Sequence, residues 1–196
     1  QYFISENSTL VINDKETVMN DSTISSLKEK LNTSTWHLVL LGAATYGVYP
    51  LMWLYKYQDT IMDETRQRFS SPAMIIWMAV CLGISAMLKM AFPVQIDEYG
   101  DVYGYSRGAE TMYGIATLIS LVWIILTIIW AFRARTALQQ YALTQFRFEL
   151  KMNPVWTFLF HIFYINYCIN TMPESLAKHR IIYGEPDSRP RENAPQ

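Results

Sequence analysis

Four stretches of this chain contain no Asp, Glu, Lys or Arg, and each is at least 20 residues long. They cover residues 32–55, 69–88, 111–132 and 152–173. A helix of about 20 apolar residues is long enough to cross the roughly 30 Å of hydrocarbon in a bilayer. A surface helix of a soluble domain instead carries polar and charged residues along its wet face. The pattern therefore predicts an all-α integral membrane protein.

Overall composition hides this partition, since the mean hydropathy is only +0.07 and 17% of residues are charged. The charged residues are concentrated between and beyond the four stretches. A formal net charge of −1 provides no broad basic surface of the kind that nucleic acid requires. We expect membrane lipids as partners, together with another membrane protein or further copies of the chain, and no nucleic acid.

Positive charges distinguish the possible topologies, because Lys and Arg near membrane segments stay on the cytoplasmic side. Four full crossings place seven of the 16 Lys and Arg inside and nine outside, against this rule. If only 72–93 and 111–132 cross, fourteen lie inside, and only Lys89 and Arg107 lie outside. Three crossings divide them eleven against five, so three or four spans are the alternatives. We predict two transmembrane helices forming a hairpin, with both termini in the cytoplasm.

The first apolar segment, 36–56, is poorly suited to a straight crossing. Gly47 and Pro50 stand near its middle, where glycine weakens a helix and proline removes a backbone donor, so we expect a bend there. Aromatic side chains typical of headgroup depth recur along it, among them Tyr46, Tyr49 and Trp53. We predict a re-entrant or interfacial segment, and an ordinary kinked span is the alternative.

The last apolar segment, 154–172, also departs from a simple span. It contains His161, Asn166 and Asn170, whose side chains are costly in lipid and should face protein, water or the interface. We predict a second re-entrant or interfacial segment.

Small residues suggest how the two central helices pack together. Ala79 and Gly83 form a small-xxx-small pair in the first, and Ala116 and Ser120 form another in the second. Such pairs let helix backbones approach closely. The connection between them, 94–110, is acidic and predicted to be external.

Polar residues form one line at steps of three and four residues after the second crossing, which predicts an amphipathic helix over 133–152 that extends into the cytoplasm. Asn153-Pro154 is expected to end it. The polar line comprises Arg133, Thr136, Gln140, Thr144, Arg147 and Lys151. The membrane domain thus spans 35–173, between a polar N-terminal tail over 1–34 that includes a small surface element and a polar C-terminal tail over 174–196.

Candidate catalytic residues are sparse, and no metal or cofactor motif is present. His161 and Cys168 are seven residues apart, on one helical face, and could form a base and a nucleophile acting on lipid. A packed cysteine and a hydrogen-bonded histidine is the simpler interpretation. Lys89 is expected to extend toward the headgroups, or to line an ion path with Asn166 and Asn170.

The string TYGVYPLMWLYK, residues 45–56, resembles the T-[FY]-G-[IVL]-Y-x-x-x-W-x-Y signature of small bacterial inner-membrane proteins grouped as domains of unknown function. The string FLFHIFYINYCIN, residues 158–170, is similar to the aromatic segment ending in Asn that closes many of them. His161 stands where those proteins commonly have glycine, which argues against a tight turn there. The resemblance covers about residues 35–172 and implies a bacterial inner-membrane location without an established activity. The matching residues of the first motif are Thr45, Gly47, Tyr49, Trp53 and Tyr55.

Together these patterns favour a non-enzymatic accessory or scaffold subunit of a larger membrane complex. The alternative is a small oligomeric channel or transporter.

Overall fold

The computed structural model describes residues 26–93 and 107–183, and all regular structure in those residues is helical. Residues 26–31 are helical, and five longer helices follow. Of the predicted acidic connection over 94–110, residues 94–106 lie outside the described residues. The longer helices are α1 (Thr35–Ala44), α2 (Val48–Thr65), α3 (Pro72–Ala91), α4 (Arg107–Phe146) and α5 (Pro154–Tyr183).

Two of these helices, α3 and α4, are long and apolar enough to cross a membrane. Only 17% and 22% of their most apolar stretches are buried inside the chain. A core helix of a soluble protein would be mostly enclosed. Their apolar side chains therefore form much of the outer surface.

The two ends of α3 contact different levels of α4. Near its first residue, the carbonyl of Phe69 accepts a hydrogen bond from Arg133 Nη1 at 3.5 Å, and the rings of Phe69 and Trp130 meet edge to face. Near its last residue, Lys89 Nζ donates to Ser120 Oγ at 2.8 Å. The two helices thus run in opposite directions along their contact.

The side of α3 that packs on α4 differs from the one that the small residues predict. The buried residues of α3 are Ile75, Met78 and Ser85. Ala79 and Gly83 face outward, and a Cβ added at Gly83 would meet nothing within 4 Å. The expectation that these two residues line the α3–α4 contact is therefore wrong.

Small residues do serve close packing on α4. Ala116 is buried and Ser120 is half-buried on its inner face. Further along, Ala131 and Ala134 are fully buried in the same apolar core that includes Met78 of α3. Small side chains on α4 thus leave room for larger neighbours in this core.

Helix α4 has 40 residues and is about 60 Å long at 1.5 Å per residue. It ends at Phe146, so the predicted helix over 133–152 is six residues too long. Arg147 has φ 53°, a left-handed conformation typical of helix ends. The chain then returns along α4, where Arg135 donates two hydrogen bonds to Met152 O at 3.1 and 2.9 Å and Gln139 donates one to Leu150 O at 3.2 Å. These side-chain donors replace the helical bonds that the segment lacks.

The second half of α4, from Arg133 onward, is amphipathic, as its sequence indicates. Its polar line is exposed, and the opposite side enters the core through Ala134, Leu138 and Tyr141. The exposed members of the line are Arg133, Thr136, Gln140, Thr144, Arg147 and Lys151.

Packing extends beyond the predicted membrane domain at both ends. Leu27 and Leu31 are buried in the core, so the part of the predicted tail over 26–34 belongs to the packed unit. Helix α5 continues through Pro173 to Tyr183, and Leu176 is buried. The core therefore gathers 26–31, α1, α2 and α5 around one half of α4.

Two leucines of α4 test the position of this core. Leu138 is fully buried and Leu143 is 58% exposed. We expect Leu138→Ala to lower the free energy of unfolding by about 2–5 kcal/mol through lost burial and a residual cavity. Leu143→Ala should change it by less than about 0.5 kcal/mol. Denaturant unfolding of both variants in mild detergent measures the difference, and equal losses would contradict the packing.

Candidate functional site

The first apolar segment is broken between α1 and α2, close to Gly47 and Pro50. Tyr46 has φ 51° and Gly47 has φ 90°, so two successive residues are left-handed. The Gly47 N–H donates to Gly42 O at 2.9 Å and the Tyr46 N–H to Ala43 O at 3.3 Å. This is the Schellman arrangement, which satisfies the last carbonyls of a helix. The bend predicted from glycine and proline is confirmed.

Thr45 connects the two helices at this break. Its hydroxyl donates to Leu41 O at 2.6 Å and accepts the Tyr49 N–H at 2.9 Å. One side chain therefore serves the end of α1 and the beginning of α2. The break has its own local hydrogen bonds and needs no water to satisfy these groups.

The last apolar segment is also broken, at His161. This residue has φ 27° and ψ −104°, and two helical pieces of α5 meet there. Histidine adopts positive φ far less readily than glycine does. The expectation that histidine in place of glycine argues against a turn at this position is wrong.

The two breaks lie together against α4. Tyr46, Gly47 and His161 line one cavity of about 310 Å³ with Trp123 and Thr127 of α4. The remaining walls are apolar and come from both broken segments, including Val39, Ala43, Pro50, Ile162 and Phe163. The arrangement can hold an apolar group beside a single imidazole.

Gly42 permits the close approach of the two segments. A Cβ at this position would lie 3.0 Å from Pro50 Cγ and 3.1 Å from Phe163 Cζ. Both distances are shorter than ordinary contacts between carbon atoms, so Pro50 or Phe163 would have to shift to admit a side chain at position 42. Gly42 thus allows α1, α2 and α5 to meet.

Asn166 and Asn170 have a structural role in the described chain. The Nδ2 of Asn166 donates to Thr33 O and Thr35 Oγ1, both at 3.1 Å. The Nδ2 of Asn170 donates to the same two oxygens at 3.0 and 3.2 Å. Two amides on successive turns of α5 therefore hold the start of α1.

Lys89 is directed along α3 toward α4. Helical side chains lean toward the N-terminus of their own helix, and Lys89 Nζ reaches Ser120 Oγ at 2.8 Å. The acidic residues Asp97 and Glu98 of the following connection lie outside the described residues. Lys89 is thus hydrogen-bonded within the helix pair, far from Asn166 and Asn170.

His161 and Cys168 are not brought together. His161 lines the cavity beside Trp123, whereas Cys168 is 5% exposed, packs in the core and lines a separate cavity near Lys151. Cys81 and Cys168 are both free thiols. Within residues 26–93 and 107–183, no group of three or more metal-binding side chains is close enough to hold an ion.

The other candidate residues do not form one site, and they differ in how exposed they are. Tyr46 is 91% exposed at the first break, Tyr49 is half-buried and Trp53 is buried in the core. Arg133, Arg147 and Lys151 are exposed. Beside Lys151, an exposed ion pair joins Lys178 to Glu174 at 2.8 Å, and it lowers the pKa of Glu174.

Sequence reasoning did not connect Gly42, Trp123 and Thr127 with a cavity. A Trp and a Thr four residues apart give no local sign of a cavity, because their importance comes from two segments distant in sequence. Searches against protein-family models, curated proteins and solved structures found no match for this chain.

Glycine at position 161 tests the break in α5. Because glycine adopts positive φ without the steric cost of a side chain, we expect His161→Gly to keep or raise the stability. His179→Gly is the matched control, since His179 is in the helical part of α5, where glycine costs about 1 kcal/mol. Thermal unfolding in detergent compares the two. A larger loss for His161→Gly than for His179→Gly would contradict a turn at this position.

Proposed function

We propose that this chain is an integral membrane protein that serves as an accessory or scaffold subunit of a larger membrane complex. In this proposal α3 and α4 cross the bilayer as a hairpin, and both broken segments enter and leave on the cytoplasmic side. The resemblance of residues 45–56 to small inner-membrane proteins is the reason to propose a bacterial inner membrane.

The observation that carries the proposal is the exposed apolar surface of α3 and α4. Trp77, Met87 and Leu118 are each more than 60% exposed. Soluble monomers rarely expose contiguous apolar patches larger than a few hundred Å². Hydrocarbon is the environment that makes such a surface favourable.

The re-entrant geometry is supported by where the two breaks meet α4. Arg133 is exposed and marks the charged end of the apolar stretch of α4. Trp123 and Thr127 lie six to ten residues from it, about 9–15 Å at 1.5 Å per residue. That distance is up to half of a hydrocarbon core roughly 30 Å thick. The tips of both segments would therefore end near the middle of the bilayer.

Cysteine labelling tests this topology. In a background of Cys81→Ala and Cys168→Ala, we expect Ser106→Cys to react with an impermeant thiol reagent in intact cells. Gln67→Cys and Ser8→Cys should react only after the membrane is permeabilised, because two crossings leave both on the cytoplasmic side. Reaction of Ser8→Cys in intact cells would contradict two crossings and favour three.

A scaffold role is supported by how the polar groups of the chain are used. Asn166 and Asn170 hold the start of α1, and Lys89 bonds to Ser120. His161 and Cys168 line different cavities. In the described residues, Asn166, Asn170 and Lys89 therefore hold helices together, His161 and Cys168 do not share a site, and the outer helix faces are left for partners.

The alternative of an oligomeric channel or transporter requires a path built from several copies. The residues proposed to line it, Lys89, Asn166 and Asn170, contact different ends of the helical unit. Within one copy they do not form a continuous polar line. An oligomer would have to bring them together.

Purification from native membranes in mild detergent tests the accessory role. We expect a foreign membrane protein to copurify in a fixed stoichiometric ratio, measured by the mass of the intact assembly and by identification of its components. A homo-oligomer without any foreign protein would contradict the accessory role. Flux measurements in liposomes would then test the channel or transporter.

A further inference from the structure

A groove separates α2 from the first half of α3. Its volume is about 640 Å³, within the range of sites that hold drug-sized molecules. Trp53 and Ile75, each 3% exposed, form its floor, and Met52 and Ile76, each more than half exposed, form its sides. The groove is therefore an apolar surface cleft that is open to the surroundings of the protein.

One cation lies at this groove. Lys56 lines it, and its Nζ lies 4.8 Å from the centroid of the Tyr57 ring. The residues that line the groove include no Asp or Glu. In the part of the chain that the structure describes, the ion pairs involve Lys30 and Lys178 but not Lys56. The Lys56 ammonium therefore has no carboxylate partner there.

The position of Lys56 along α2 matches the depth of a headgroup. It follows the break at Gly47 by nine residues, about 13 Å along the helix. If the break is near the bilayer middle, Lys56 lies near the cytoplasmic interface, where lipid phosphates are found. Tyr55 and Tyr57 flank it, and tyrosine is enriched at that depth.

From this combination we propose that the groove between α2 and α3 binds one anionic glycerophospholipid of the cytoplasmic leaflet. An acyl chain lies over Trp53 and Ile75, and the headgroup phosphate is bound by Lys56. This inference rests on the proposed membrane insertion and does not depend on the accessory role. The apolar walls alone would accept any lipid, and the unpaired ammonium selects the anionic one.

Native mass spectrometry of the full chain in detergent tests the headgroup contact. Titration with phosphatidylglycerol and with phosphatidylcholine gives the affinity of the first bound lipid. A lysine near an anionic surface contributes about 1 kcal/mol, which is about fivefold in affinity. We expect this preference for phosphatidylglycerol in the unaltered chain, its loss in Lys56→Met and its retention in Lys151→Met. Lys151 is exposed but does not line the groove.

A second pair of variants tests the acyl-chain position. Ala79 lines the groove, whereas Ala86 is exposed on α3 outside it. Since both positions are exposed, either phenylalanine variant should fold. Ala79→Phe should fill the groove and lower the occupancy by both lipids at least fivefold, and Ala86→Phe should bind them as the unaltered chain does.

Three results would overturn the proposal. Lys56→Met could keep the full preference, or Ala79→Phe could bind lipid like Ala86→Phe. The third is a protein dimer that Ala79→Phe disrupts, because a second copy would then occupy the groove. Failure of membrane insertion is recognised separately, by release of the chain from membranes in alkaline carbonate without detergent.

Discussion

Inside hydrocarbon, a backbone N–H or C=O without a partner costs several kcal/mol, and irregular backbone is tolerated there only where protein covers it. In the proposed membrane arrangement, this constraint applies to the first and last apolar segments, which are both broken. At the first break, Thr45 and Gly42 supply the hydrogen bonds locally. Both breaks then lie against Trp123 and Thr127 of α4. The long helix α4 is thus the common support on which the other helices depend.

Much of this architecture could be predicted from local pattern. The uncharged stretches indicate α3 and α4, and Gly47 with Pro50 indicates the first break. The polar line from Arg133 to Thr144 follows the helical period, and those residues are exposed. Each of these features depends on neighbouring residues along one helix. Composition and spacing are sufficient to predict such features, because the physical cause lies within a few turns.

Other features depend on contacts between distant parts of the chain, and the sequence does not indicate them. Asn166 holds Thr33, 133 residues away, and Leu27 is buried in a core that also contains residues of α5. On α3, Met78 rather than Gly83 is buried, in a core that also contains Ala131 and Ala134. His161 adopts a conformation that its residue type disfavours because two helical pieces must meet there. In each case tertiary packing determines the outcome.

The hydrogen bonds from Asn166 and Asn170 to Thr33 and Thr35 also concern the order of events during synthesis. A ribosome adds about 5–20 residues per second, so the partners of Thr33 emerge between about 7 and 27 s after it does. During that time α1 can leave the ribosome without the helix that later holds it. Leu38 of α1, which is fully buried in the finished core, is not yet covered by α5 during that time. The contact between the start of α1 and α5 therefore forms only after α5 has been synthesised.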